Sequence, residues 1–432
     1  MQLSLVSIVL ALVILTILVY KRFNIILASF ICCVFIAVLS SMDLVNTMMP
    51  AFLQGFASFI QSNFLIFAFS ALFGKLMEET GAAYALATLF CRVFGKRFAL
   101  YGAMLATSVL TYGGVSVFVI VFTVYPIFLS IAEQSDVPRY LLPAAMAAAA
   151  ITYAEAFFPG AAQIHNIIPT TYLGTTTMAG AIVGTICGVL DLIMLYFYFE
   201  YELKKCRKKG IHFEHDEKTR ALVEKLQSRK TVNGWMAFIP IIVLLVILNV
   251  LKQNVVVAMI AGCAAAMILF WNNIPDKINT LGVGINGATG AIVATSSVIA
   301  FGAVIKETSG YQAMINYVMN LHGNPLMVLG LTSTLISGIT GSGSGGISFT
   351  MEIFTDHFLS IGVNPQMFHR IVTMAGVGLD SLPHNGFVVT TLNVADQTHK
   401  QAYKPIFITT LVFTMLLLIL AIFIGPIFYP NL

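Results

Sequence analysis

Apolar runs long enough to cross a lipid bilayer follow one another along this chain with almost nothing between them. Only residues 200–233 form a long hydrophilic stretch, and it carries the basic cluster K-K-C-R-K-K at 204–209. A spanning helix needs roughly 20 mostly apolar residues. The runs 3–20, 24–41, 57–77, 176–199, 235–251, 254–271, 284–305 and 405–428 qualify. Segments 139–168 and 365–392 are apolar but carry polar breaks, and 98–132 and 325–361 are apolar with a Gly-rich interruption in the middle. The chain is 58% hydrophobic and 10% charged, where soluble domains carry about 25% charged residues. An all-α polytopic membrane protein is expected.

Other readings of the composition are mostly exclusions. Cys32, Cys33, Cys91, Cys187, Cys206 and Cys263 have no metal-ligand spacing, so neither a disulfide nor a zinc framework is expected, and no cofactor or metal. The net charge of +4 comes from clustered basic residues and points to no nucleic-acid partner. Met1 leads straight into an apolar run without a basic region, which reads as a retained transmembrane helix rather than a cleaved signal peptide.

Basic residues mark the cytoplasmic side of a membrane protein, which puts the 200–233 loop inside. Lys21, Arg22, Arg92, Lys96, Arg97, Arg139, Lys277, Lys400 and Lys404 also fall inside if 98–132 and 325–361 are re-entrant hairpins that enter and leave on one face. Lys252, Lys306 and Arg370 then remain on or near the outer side, and both termini lie outside.

The halves also resemble each other. F-G-K-L-M-E-E-T-G at 73–81 parallels F-G-A-V-I-K-E-T-S at 301–309, G-G-V-S at 113–116 parallels G-G-I-S at 345–348, and Pro159 parallels Pro383, at offsets of 224 to 232 residues. Each half then holds five crossings, one re-entrant hairpin and one discontinuous helix. An odd number of crossings inverts the second copy, as in secondary transporters. The expected division is a first repeat at 1–200, a cytoplasmic linker at 201–233 and a second repeat at 234–432.

In such proteins the binding site forms at the bilayer midplane, where hairpin tips meet broken helices whose N-termini suit an anion. Two tips are candidates, Thr111–Ser116 with Tyr112, Gly113, Gly114 and Ser116, and Thr340–Ser348 with Gly341, Ser342, Gly343, Ser344, Gly345 and Gly346. Two helix breaks join them, Phe158–His165 and Asp380–Gly386, the latter with Ser381, His384, Asn385 and Gly386. A lone Gly pair is more simply explained by close helix packing. The run T-G-S-G-S-G-G at 340–346 is not, because hydroxyls accompany five residues unfit for a helix interior.

Intramembrane acids are functional candidates by default. Glu155 lies four residues before Pro159, and Asp380 three before Pro383. Both could carry a proton or merely accept structural hydrogen bonds. His384 could titrate near neutral pH or bond the broken backbone, and His165 shares that ambiguity. Glu79 and Glu307 read as interfacial. Asp191 is expected near the cytoplasmic end of its helix, and Arg370 is expected to snorkel to the headgroups. Enzyme signatures are missing. The serines of the Gly run lack G-x-S-x-G flanks, no Walker lysine follows it, and H-E-x-x-H does not occur.

Y-G-G-V-S-V-F at 112–118, T-G-S-G-S-G-G-I-S at 340–348, G-L-D-S-L-P-H-N-G at 378–386 and F-G-K-L-M-E-E-T-G-A at 73–82 resemble the gluconate permease (GntP) family, in particular its D-β-hydroxybutyrate permease branch. The resemblance spans nearly the whole chain. It implies proton-coupled uptake of a small hydroxy-carboxylate across the bacterial inner membrane, on the ion-transporter-superfamily scaffold. There a transport domain (here 57–170 and 281–395) moves like an elevator against a scaffold domain (1–56 and 234–280), and dimers are common. Gluconate permeases tend to have His-Asp-Ser-Gly-Phe at the last motif. Here Asp380 and Ser381 are kept, but Leu-Pro-His-Asn stands before Gly386 and Phe387, which favours 3-hydroxybutyrate over gluconate. Sodium coupling and a passive anion channel are the alternatives.

Overall fold

The computed structural model describes residues 2–21, 23–214, 232–311, 324–383 and 385–431, and every regular element among them is helical. His384 lies outside the described residues. Five helical stretches among them are long and apolar enough to cross a membrane: Leu44–Glu79, Arg139–Phe157, Ala181–Lys209, Val255–Asn273 and His399–Phe428.

The first half runs α1 (Gln2–Tyr20), α2 (Ile25–Leu39), α3 (Met49–Glu79), α4 (Ala82–Tyr112), α5 (Val117–Ser135), α6 (Leu142–Ile151), α7 (Ile164–Leu173) and α8 (Ala181–Lys209). The second runs α9 (Phe238–Leu245), α10 (Val255–Phe270), α11 (Lys277–Asn286), α12 (Thr289–Lys306), α13 (Pro325–Thr340), α14 (Gly343–Ser360), α15 (Pro365–Ala375), α16 (Gly386–Val394), α17 (His399–Ile406) and α18 (Phe413–Phe428). Helix α3 packs along α11 and α12 at the centre, α14 packs on α7, and α8 lies against α18.

Both expected hairpins are helix pairs. Helix α4 is kinked at Gly95 (φ +65°) and Phe98, so its second arm and α5 match the 98–132 segment. Helices α13 and α14 match 325–361. The Gly-Ser run differs from expectation. Only Gly341 (φ +61°) and Ser342 leave the helix, and Gly343–Gly346 form the first turn of α14. Helix propensity is overridden by packing here, because a Cβ at Gly346 would run into the backbone and side chain of Ser337 on the opposite arm.

Three further expectations are corrected. Helix α8 continues to Lys209, so the basic cluster is helical and its charges face the negative end of the helix dipole. That lengthening leaves Asp191 well inside the helix, fully buried, where it accepts a hydrogen bond from Thr152 Oγ1 at 2.6 Å. Arg370 does not snorkel. It is fully buried, and its guanidinium donates to the carbonyls of Ala156 (2.8 Å) and Ala179 (2.6 Å). Five donors in a fixed fork can satisfy several stray carbonyls at once, and the broken first-half helix supplies them.

Candidate functional site

Each discontinuous helix stops because its backbone cannot continue. Helix α6 ends at Thr152 (φ −96°, ψ −103°); a π-helical turn at Tyr153–Phe157 and an irregular stretch with a turn at Pro159–Gly160 follow before α7 begins. Helix α15 ends at Ala375, and the described residues between it and α16 include a turn at Gly376–Gly378 and a short 3₁₀ turn at Leu379–Ser381.

An amide side chain at the start of the following helix fastens each hairpin tip to the adjacent break. Gln163, immediately before α7, donates from Nε2 to the carbonyls of Thr111 (2.5 Å) and Val115 (2.9 Å) at the first tip. Asn385, immediately before α16, donates from Nδ2 to Gly341 O at the second tip (3.1 Å) and to Asp380 Oδ1 (2.6 Å). Its Oδ1 accepts from Val388 N at 2.9 Å, an N-cap. The two tip-break units then meet. A Cβ on Gly343 would lie 2.5 Å from His165 Cε1 and 2.7 Å from Gly376 O.

Between these units lies a cavity of about 300 Å³. Four helices begin at its wall: α5 after Ser116, α7 after Gln163, α14 after Ser342, and α16 after Asn385. The first turns of a helix leave N–H groups without intrahelical partners, and each N-terminus carries about half a positive charge. Ser342 Oγ accepts one such amide, Gly345 N, at 3.2 Å. Glu155 and Asp380 line the same cavity and are both buried. Glu155 Oε1 lies 3.4 Å from His165 Nδ1, which makes no hydrogen bond there. Asp380 also takes a hydrogen bond from the Gly343 amide.

The sequence candidates separate by position. Ser116, Gly341, Ser342, Gly343, Ser344, Asn385, Gly386, Glu155 and Asp380 line the cavity. Tyr112, Gly113, Gly114, Gly345, Gly346 and Ser381 stand behind the wall. Tyr112 OH donates to Pro159 O at 2.6 Å, Gly113 packs on Ile241, and Gly114 O accepts from Ser70 at 3.1 Å. Gly346 packs on Ser337, and Ser381 Oγ donates to Val377 O at 3.1 Å. Gln163, Ser70, Thr295 and Phe387 also line the cavity and are not among the sequence candidates. Gln163 falls inside the polar break F-P-G-A-A-Q-I-H, which is the signal that would have found it. Ser70 sits within an apolar helix, where one hydroxyl carries no pattern, whereas Thr295 opens the run T-S-S at 295–297 inside α12, a polar interruption that could have flagged it.

A family model described as "GntP family permease" matches residues 1–425. The chain is 29% identical over 455 aligned positions to a protein of Bacillus subtilis (strain 168) described as "Uncharacterized transporter YxjC", covering 95% of this chain and 96% of the relative. It is 25% identical over 355 positions to an "Uncharacterized transporter" of Haemophilus influenzae, covering 79% of each.

Proposed function

Since the chain belongs to the GntP permease family, and is thus a membrane transporter rather than an enzyme, we propose that it is a proton-coupled secondary transporter for a small hydroxy-monocarboxylate. A 3-hydroxybutyrate-like acid is the favoured substrate within the wider gluconate-like class. The single observation that carries this reading is the meeting of four helix N-termini and two buried carboxylates around one cavity. Four N-termini supply about two positive charges. Glu155 and Asp380, if ionised, supply two negative ones. A monoanionic substrate therefore brings an unbalanced charge into a low-dielectric site, and a proton taken up with it restores the balance.

The two carboxyls are not equivalent partners for that proton. Asp380 is held by the Asn385 amide and the Gly343 N–H. Among the described residues Glu155 meets the ring of His165 at 3.4 Å and lines the cavity. We assign proton uptake to Glu155 and anchoring of the second tip to Asp380. Transport follows an elevator scheme on inverted repeats, residues 57–170 and 281–395 moving against 1–56 and 234–280. The termini and the turn at 251–254 face outward, and the 201–233 linker lies in the cytoplasm.

The test is uptake of D-3-hydroxybutyrate and gluconate into proteoliposomes under an imposed pH gradient, with sodium replaced by choline. Accumulation that follows the pH gradient supports the reading. Indifference to pH with dependence on sodium transfers the coupling to sodium. Glu155→Gln is expected to retain exchange of substrate but to lose accumulation; full coupled transport by this variant would remove Glu155 from the role.

A further inference from the structure

Lys252 is a cation that the central cavity does not use. It lies in the turn before α10 with φ at +50°, a left-handed conformation that residues other than glycine adopt only where the surroundings impose it. That turn borders a second cavity of about 450 Å³. The opposite wall is the threonine-rich end of α7 and the loop that follows, Thr170, Thr171 and Thr175 to Thr177. Lys252 is the only charged residue among those described as lining it, and the first turn of α10 opens onto the same space.

The outer cavity shares its walls with the central one. Helix α3 gives Ser62 and Ile66 to the outer cavity, and Phe67 and Ser70 to the central cavity. Helix α7 gives Ile167 and Thr170 to the outer, and Ile164 and His165 to the central. The two spaces therefore lie along the same pair of helices. The outer wall also holds the first break. Asn249 accepts from Thr177 Oγ1 at 2.9 Å and donates to Gly160 O at 3.0 Å.

We propose that the outer cavity is a second anion site, in series with the central one, which takes the carboxylate of a small organic acid before it passes inward. The ligand class rests on the transporter reading above. A cation with no acidic neighbour in the described lining raises the local concentration of anions in a cleft, and the hydroxyls beside it offer hydrogen bonds to carboxylate oxygens. With no acidic side chain in its described lining, nothing there opposes the charge.

Thr176 is exposed on the wall facing Lys252. In the full chain in proteoliposomes, Thr176→Cys is treated with an anionic and a cationic methanethiosulfonate, with the unsubstituted chain as background. Faster reaction with the anionic reagent is expected, and adding Lys252→Gln abolishes the preference while Lys252→Arg keeps it. Saturating D-3-hydroxybutyrate or gluconate slows the reaction about twofold or more. In uptake, Lys252→Gln raises KM about threefold or more at low ionic strength, and the difference shrinks as salt is added. No Lys252-dependent preference, or no protection by either acid, overturns the proposal; a lysine that only contacts lipid phosphate gives that second result. Should Thr176→Cys not be recovered, Thr171→Cys on the same wall replaces it. Absence of uptake by the unsubstituted chain refutes the transport reading, while the labelling still decides the outer site.

Discussion

Gly343 is where the two tip-break units touch, so adding one methyl group there tests the arrangement. In Gly343→Ala the new Cβ would meet His165 Cε1 at 2.5 Å and His165 Nε2 and Gly376 O at 2.7 Å. The histidine ring is buried and the carbonyl belongs to the backbone, so neither can step aside freely. Overpacking of this kind costs about 1–3 kcal/mol, and alanine in a helix returns roughly 0.5–1 kcal/mol relative to glycine. The difference spans about 0–2.5 kcal/mol, and contact with a backbone carbonyl and a buried ring puts this site in the upper part of that range, about 1–2.5 kcal/mol. Unfolding 432 residues carries an entropy of about 0.9 kcal/mol/K, so in purified protein the melting midpoint is expected to fall by roughly 1–3 °C. In uptake it raises KM by up to about tenfold, the equivalent of 1.4 kcal/mol, because the second tip is pushed off the cavity. Gly386→Ala is the control. Gly386 stands at the same cavity, and a Cβ added to it would have no neighbouring atom of the described residues within 4 Å, so its melting midpoint is expected to stay unchanged or rise. Equal behaviour of the two variants, or an unaltered Gly343→Ala, refutes the close contact between the units.

Asn385→Asp keeps the cap on Val388 but removes the donor shared by Asp380 and Gly341, placing a second carboxylate 2.6 Å from the first; uptake should fall below detection while the protein still purifies as a monodisperse peak. Arg370→Met strands the carbonyls of Ala156 and Ala179, each at about 1–3 kcal/mol, and should be read as loss of folded protein in size-exclusion chromatography, with Arg370→Lys only partly restoring it. At the surface, Asp136 receives the Phe213 amide at 3.0 Å and His212 Nδ1 at 2.7 Å, bonds that hold its carboxyl below the ordinary carboxylate range. A depressed carboxylate stabilises above its unfolded pKa and is lost only as pH falls through the folded one. Protection of the Phe213 amide in hydrogen exchange, corrected for intrinsic rate, should therefore hold from about pH 5 to 8 in the wild type and drop in Asp136→Ala.

What could be read from the sequence was what lipid imposes locally. Apolar length placed the helices, and Gly, Pro and polar residues inside apolar runs placed both tips and both breaks, because such interruptions are tolerated only where protein or water receives the backbone. What could not be read were the partners that receive it. Arg370 looks like an outer-edge arginine until α15 is seen packed against α7 and the π-helical turn. The Gly343–Gly346 stretch looks like loop because propensity scales assume free space around a residue, whereas here the missing side chains allow the close approach of His165 and Ser337. Gln163 and Asn385 have the same task on opposite breaks, yet one sits in an otherwise plain A-A-Q-I-H and the other in the family motif.

Those partners also bear on which ion accompanies the substrate. Breaking a helix frees carbonyls as well as amides, and freed carbonyls are good ligands for sodium. Here many of them are already engaged by protein donors. Ala156 O takes Arg370, Pro159 O takes Tyr112, Gly160 O takes Asn249, and Ala161 O takes Asn166 at 2.9 Å. On the other break, Ser381 O takes Tyr403 at 3.0 Å, and Gly341 O at the tip takes Asn385. The residues that open the four helices line the cavity. A site whose free carbonyls are engaged by protein donors and whose wall is made of helix N-termini favours negative charge. This supports the proton coupling proposed above over sodium, because a carboxyl exchanges a proton without a ready-made oxygen cage.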